Sequence, residues 1–243
     1  MGIDPMHEVE IQRLSRVYGE RKKRLASRYD LRNPAVYMSV QEVERALLAW
    51  ARQHCIKPVS EIALVDVGCG TGGGLLEFIR LGFSPSRVTG IELLPDRAAE
   101  ARIRLPSSVE VHLGDACALE LAGASYDVVY QSTVFTSILA RPTRQRLAER
   151  MWQWVRPGGG VLWYDFTVDN PWNPDVRGVS IREIRELFPI GTITWMKKLT
   201  LLPPIARVVA RIRPELYTVF NALLPFLRTH VMCWIQKDSE GIA

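Results

Sequence analysis

Several things are missing from this chain, and each absence removes a class of protein. Its four cysteines, Cys55, Cys69, Cys117 and Cys233, form no CxxC pair. That scatter argues against a zinc ribbon and a disulfide scaffold and fits a reducing cytoplasm. The four histidines are equally dispersed, so no metal site is expected. No apolar run approaches the ~20 residues needed to cross a bilayer. The N-terminus lacks the basic-then-apolar layout of a secretory signal. Internal repeats and low-complexity segments are absent as well. Charge is close to balanced at +5, which tolerates an anionic substrate or membrane surface and requires neither.

What the chain does have is apolar content, 47% over 243 residues, enough to bury a substantial core in one large α/β domain. The opening Met1-Gly2-Ile3-Asp4-Pro5-Met6 reads as an expression remnant ahead of a start at Met6. Residues 7–58 then form an N-terminal helical cap and residues 59–243 the main domain. The first helix expected from periodicity is Val40 to Gln53, with Ser39 and Glu42 as a capping box. From there strands and helices alternate. Strands are expected at Ala63–Val67, Arg87–Ile91, Val109–Leu113, Tyr126–Gln131, Gly160–Phe166, Thr192–Leu199 and His230–Gln236. Helices fall at Gly74–Leu81, Pro95–Arg104, about Pro142–Val155, and after Ser180, which with Glu183 makes a cap. Strand–helix alternation means βαβ units and a mostly parallel sheet covered on both faces. Two segments stand outside it. Residues 7–38 are polar and carry the basic run Arg21, Lys22, Lys23, Arg24 and Arg28, and residues 201–229 are proline-punctuated and amphipathic.

The strongest local signal is Val65-Asp66-Val67-Gly68-Cys69-Gly70-Thr71-Gly72-Gly73-Gly74, a strand running through glycines into a helix. Glycine is needed where the backbone turns sharply and a ligand approaches without a Cβ in the way. The spacing satisfies two patterns: Gly68, Gly70 and Gly73 fit the dinucleotide G-x-G-x-x-G, whereas Gly68, Gly70 and Gly72 fit G-x-G-x-G. Glu92 ends the second strand, where a carboxylate can accept hydrogen bonds from both ribose hydroxyls. Asp115 closes the third strand, placed for the exocyclic amine of adenine, and Val155-Arg156-Pro157-Gly158-Gly159-Gly160 leads into a buried strand. A Tyr-x-x-x-Lys occurs at Tyr18 to Lys22, upstream of the glycine loop and in the wrong order for a short-chain dehydrogenase.

Together these residues resemble the class I S-adenosylmethionine-dependent methyltransferase family, closely over about 60–170 and loosely elsewhere. The resemblance implies an α/β, Rossmann-like, seven-stranded mostly parallel sheet with helices on both faces and the last strand antiparallel. It implies S-adenosyl-L-methionine as cofactor. Asp66 would lie near the methionine amino end, with Gly68, Gly70 and Gly72 lining the ligand. Glu92 and the adjacent Leu93 would face the ribose, Asp115 and the Ala116 amide the adenine, and Gln131 the sulfonium.

The acceptor is less legible. The fourth strand ends in Gln131-Ser132-Thr133-Val134-Phe135, which departs from the Asn-Pro-Pro-aromatic motif of nucleic-acid amine methylases. Asp165, at the end of the fifth strand, and His230, opening the seventh, are the candidate acceptor-side bases. Each has a bland alternative, a loop-capping carboxylate and a satisfied structural histidine respectively. Asp169 belongs to a loop and reads as solvated. Residues 201–229 leave and re-enter the sheet at its carboxyl edge and so read as an acceptor lid. Ile205, Val208, Val209 and Ile212 form an apolar stripe there, flanked by Arg207, Arg211 and Arg213. That stripe is either packed on the core or presented to a membrane surface or lipid-linked substrate. Sparse aromatic interleaving in the basic run argues against nucleic acid as partner. The leading expectation is a cytoplasmic, small-molecule methyltransferase acting on a sugar or secondary-metabolite hydroxyl. Trp163-Tyr164-Asp165-Phe166 and Asn170-Pro171-Trp172 are similar to bacterial surface-glycan or secondary-metabolite methyltransferases. RNA or protein methylation and a non-catalytic cofactor-binding partner protein are the alternatives.

Overall fold

The computed structural model describes residues 5–24, 30–171 and 173–239. Residues 1–4, Arg28 and Trp172 lie outside the described residues, as do the side chains of Arg21, Lys22, Lys23 and Arg24. Seven strands form one sheet: β1 (Leu64–Val67), β2 (Val88–Glu92), β3 (Glu110–Leu113), β4 (Tyr126–Ser132), β5 (Val155–Phe166), β6 (Thr192–Leu201) and β7 (Arg228–Gln236). Their order is β3-β2-β1-β4-β5-β7-β6, with β7 antiparallel to both β5 and β6 and the β1–β5 pairs parallel. The order reverses between β1 and β4, and that switch point opens a crevice at the strands' carboxyl ends.

Strand alternation sorts the core into two layers. Leu64, Val128, Leu162 and Met232 point to one face, Val65, Val129, Trp163 and Cys233 to the other, and all are buried. The first face is covered by α2 (Pro34–His54), α3 (Gly73–Arg80) and α4 (Pro95–Arg104), and the second by α5 (Arg141–Trp154) and α6 (Ile181–Leu187). Two-sided burial explains why the central strands read as continuous apolar runs.

Three departures from the sequence reading have local causes. The helix expected from Val40 starts six residues earlier, because Asn33 caps it by accepting from the Ala35 amide at 3.0 Å and Pro34 supplies a preset φ. Ser39, expected as that cap, instead donates to the Ala35 carbonyl, and Glu42 is buried inside the molecule. The polar segment before it contains α1 (Pro5–Arg24), whose His7, Glu10, Leu14 and Val17 are buried. In the insertion, prolines start α7 (Pro203–Ile212) and α8 (Pro214–Leu223). Its expected apolar stripe is split. Ala206, Val209 and Ala210 pack inward, whereas Val208 and Ile212 are 62% and 70% exposed. Small residues win the buried positions because α7 lies close against α2. Ser180 does cap α6, accepting from the Glu183 amide at 3.1 Å. No helix among the described residues is long and apolar enough to cross a membrane.

Candidate functional site

The glycine loop connects β1 to α3 at the switch point. Gly68, Gly70 and Gly72 all have left-handed φ values of +73°, +61° and +85°. At Gly68 a Cβ would meet Val134 at 2.6 Å, and at Gly70 the Arg97 guanidinium at 2.5 Å. Alanine is therefore strained at both by the left-handed backbone and, at Gly68, also crowded by Val134. Glu92, at the end of β2, holds this loop. One carboxylate oxygen accepts from the Gly70 amide at 2.8 Å and the other from the Leu94 amide at 2.9 Å.

Beside it lies a cavity of about 130 Å³ lined by Gly68, Glu92, Leu93, Asp115 and Ala116, with Ser132, Thr133 and Val134 beyond. An acid at the tip of β2, an acid at the tip of β3 and apolar walls between them match the polar and flat parts of an adenosine. Asp115 accepts from the Cys117 amide at 2.9 Å, and its other oxygen lies 2.6 Å from His7 Nε2. The wall opposite the sheet is α1, which contributes Ile11, Leu14 and Tyr18. Its other polar anchors are Glu10, which accepts from the Leu139 amide at 2.6 Å, and Tyr18, paired with Ser137 at 2.9 Å. Arg97 stacks on the Tyr18 ring with the guanidinium 5.1 Å from its centroid.

His7, Asp115 and Cys117 bring possible ligand atoms within 4.8 Å of one another. The Cys117 thiol is pushed up to about 12 by burial and then by the Asp115 charge, so it keeps its proton. Within the group, His7 Nε2 and the Cys117 amide both hydrogen-bond the Asp115 carboxylate.

The remaining sequence candidates divide. Asp66 is buried behind the loop, its carboxyl raised well above the ordinary range by burial and by Glu92. Gln131 does not reach the cavity. It brackets the following loop, accepting from the Val134 amide at 3.1 Å and donating to the Tyr164 carbonyl at 3.4 Å. Asp165 is fully buried and takes the Thr136 hydroxyl at 2.6 Å, the Thr136 amide at 3.2 Å and the Phe166 amide at 3.0 Å. These bonds fit the loop-capping alternative that the sequence left open for it. Burial nonetheless raises it to about 7 against the lowering pull of Thr136 and Phe166. His230 stacks on Tyr164 with ring centroids 5.3 Å apart, and its Nδ1 pairs with the Thr229 hydroxyl at 2.9 Å. Burial lowers it to about 4, so the ring is neutral near pH 7. Asp169 holds the Gly178 amide at 2.8 Å.

Sequence reasoning missed α1 as a pocket wall. The available signal was Ile11, Leu14 and Tyr18 at helical spacing within the polar segment.

A glycine cradle and two strand-tip acids at the switch point of this sheet define a Rossmann-like adenosine-binding domain. Residues 64–159 match a family model described as a methyltransferase domain. Phosphoethanolamine N-methyltransferase 3 of Arabidopsis thaliana is 33% identical over 114 residues, 46% of this chain and 22% of that protein. The chain therefore spans about a fifth of the length of that relative. An S-adenosylmethionine-dependent methyltransferase from Mesorhizobium loti shares the fold with a TM-score of 0.57 and 18% identity, over 80% of this chain and all of that one. The Burkholderia thailandensis 1,6-didemethyltoxoflavin-N1-methyltransferase does so with a TM-score of 0.64 and 17% identity, over 98% of this chain and 92% of its own. Over residues 64–159 the chain is thus similar to the methyltransferase-domain family, and its fold is that of S-adenosylmethionine-dependent methyltransferases.

Proposed function

We propose that the chain is an S-adenosylmethionine-dependent methyltransferase acting on a small molecule. The observation that carries this reading is the pairing of Glu92 and Asp115 across one cavity beside a glycine cradle that a Cβ would fill. When bound, S-adenosylmethionine supplies an electrophilic methyl group on a positively charged sulfur. Glu92 would hold the ribose hydroxyls, keeping the glycine loop fixed through Gly70 at the same time. Asp115 would take the adenine amine in place of His7, and Leu93 and Ala116 would flank the ring. Ser132 and Thr133, at the tip of β4, line the same cavity and are placed to orient an acceptor. In-line displacement asks chiefly for such positioning.

The finer reading is a sugar or secondary-metabolite hydroxyl as acceptor, with residues 201–229 covering it. With Asp165 engaged by Thr136, His230 is the remaining sequence candidate for a base, neutral and hence able to take a proton. A second reading, an amine acceptor, is favoured by the weak basicity of His230, since a neutral amine needs no base. The likeness to the phosphoethanolamine N-methyltransferases points the same way.

Calorimetry with S-adenosylhomocysteine, followed by mass spectrometry of products from fractionated extract, tests both levels. Glu92→Ala should weaken cofactor binding by about 2–4 kcal/mol, because charge-assisted hydrogen bonds to ligand and loop are lost together. Wild-type affinity in that variant, or tighter binding of NADH than of S-adenosylhomocysteine, would refute the reading.

A further inference from the structure

Six large apolar side chains stand exposed within nineteen residues of the insertion: Val208, Ile212, Val219, Phe220, Leu223 and Phe226. Both helices bury their other faces against α2, through Ala206 and Ala210 from α7 and Tyr217 from α8. On α7 the exposed Val208 and Ile212 share the outer surface with Arg207 and Arg211, each pair separated by one helical turn. On α8, Val219, Phe220 and Leu223 recur at the same helical spacing. Over residues 201–229 there are four arginines and a single acid, Glu215. Arg207 and Arg211 also line a cleft of about 420 Å³ with Asn33, Pro34, Ala210 and Pro214.

We propose that the outer face of α7 and α8 docks the protein on an anionic phospholipid bilayer. Exposed valine, isoleucine, leucine and phenylalanine on two neighbouring helices that also carry guanidinium groups have the composition of an interfacial helix pair. The apolar side chains enter the acyl boundary, and the arginines meet lipid phosphates, one of which fits the Arg207–Arg211 cleft. The helices already fold on α2, so docking bears no helix-ordering cost. Charge favours lipid over a second copy of the chain. A two-fold interface here would bring together two copies of a segment that carries four arginines and the single acid Glu215. The proposal is argued from these helices alone and does not rest on the methyl-transfer reading. Since β6 ends and β7 begins at the sheet's carboxyl edge, docking also brings the cofactor-side rim toward the lipid surface.

The test is co-sedimentation of the full chain with vesicles of phosphatidylcholine alone or mixed three to one with phosphatidylserine. Neither cofactor nor acceptor is needed, so failure of docking and failure of the enzymatic reading are separable. Binding to the mixed vesicles that weakens as salt rises is expected, with far less binding to phosphatidylcholine alone. The triple variant Arg207→Gln, Arg211→Gln, Arg213→Gln should bind the mixed vesicles on the order of tenfold to a hundredfold more weakly. Phe220→Ser with Leu223→Ser should also reduce binding. All five positions are exposed, so circular dichroism and melting should match wild type. Equal binding to both vesicle types, no binding to either, or an unaffected arginine variant would overturn the proposal. So would a dimer in size-exclusion chromatography that Phe220→Ser with Leu223→Ser dissolves, because a second copy would then own the face.

Discussion

Helix α1 and the α7–α8 pair both lie at the carboxyl side of the sheet, yet they are fastened by different chemistry. Helix α1 is pinned by polar contacts to the pocket itself and its rim: His7 to Asp115, Glu10 to the Leu139 amide, Tyr18 to Ser137. The α7–α8 pair is fastened by an apolar cluster of Ala35, Leu201, Ala206, Ala210 and Tyr217, and by one buried acid on α2. That acid, Glu42, accepts from the Tyr217 hydroxyl at 2.9 Å, the Asn221 amide group at 2.5 Å and the Thr200 amide at 3.0 Å. One cover is therefore tied to the cavity-lining Asp115 and Ser137, the other to groups outside that cavity. The first should respond to ligand, the second to whatever changes stability.

The largest effect expected from this contrast is at Glu42. Replacing it with alanine leaves a hydroxyl, an amide group and a backbone N–H buried without their acceptor. Each costs about 1–3 kcal/mol when left unmade, so a loss of roughly 3–5 kcal/mol is expected after partial relaxation. Urea unfolding should record it, and hydrogen exchange in α8 should quicken. Cofactor affinity, measured well below the melting transition, should stay within a factor of about three. A large fall in affinity would mean that the two covers are not separate devices.

The pH dependence of stability sharpens the same comparison, because each cover rests near one shifted group. Asp165 supports the loop on which α1 lands, through Thr136, and sits at about 7 against an ordinary 3.8. The folded state then holds a proton that the unfolded state has released, so this group's contribution falls as pH rises from about 4 to about 7. His230, joined through Thr229 to the end of β6, sits at about 4 against 6.5. The unfolded state takes up a proton that the folded state refuses, so this contribution rises over pH 4 to 6.5. Asp66 adds to the fall. Relative to wild type, Asp165→Asn should gain about 3 kcal/mol between pH 4 and 7, while His230→Gln should lose a similar amount between pH 4 and 6.5. Urea titrations across this range measure both. A pH-independent difference for Asp165→Asn would show that the folded carboxyl is ionised.

Legibility in the sequence follows the range of the interactions. Gly68, Glu92 and Asp115 could be placed beside one cavity because a strand tip and a glycine turn fix their positions locally, whereas Gln131, expected beside the sulfonium, does not line it. Ser180 was readable for the same reason. The covers were not. His7 meets a partner 108 positions away and Glu10 one 129 away, and no pattern within α1 announces either. Asp165 was left with two readings because its position at the end of β5 is compatible with facing a ligand or holding Thr136, and only packing shows the second contact. The division of the α7 stripe was not readable because periodicity weights large apolar residues, whereas close helix contact with α2 favoured Ala206 and Ala210.

The smallest effect concerns His7 and probes whether α1 competes with the cofactor or completes its site. The space between α1 and the loops is about 130 Å³, well under the ~300–1,000 Å³ usual for ligand pockets of this kind. The imidazole must release Asp115 if the adenine amine is to take it. His7→Ala removes that competitor while Glu10 and Tyr18 still hold the helix. One net hydrogen bond is worth about 1 kcal/mol, so S-adenosylhomocysteine should bind a few-fold more tightly, mostly through faster association. Stopped-flow measurement of both rate constants reads this directly. If association were unchanged and dissociation faster instead, His7 would be part of the closed, ligand-bound site, and α1 a clasp rather than a competitor.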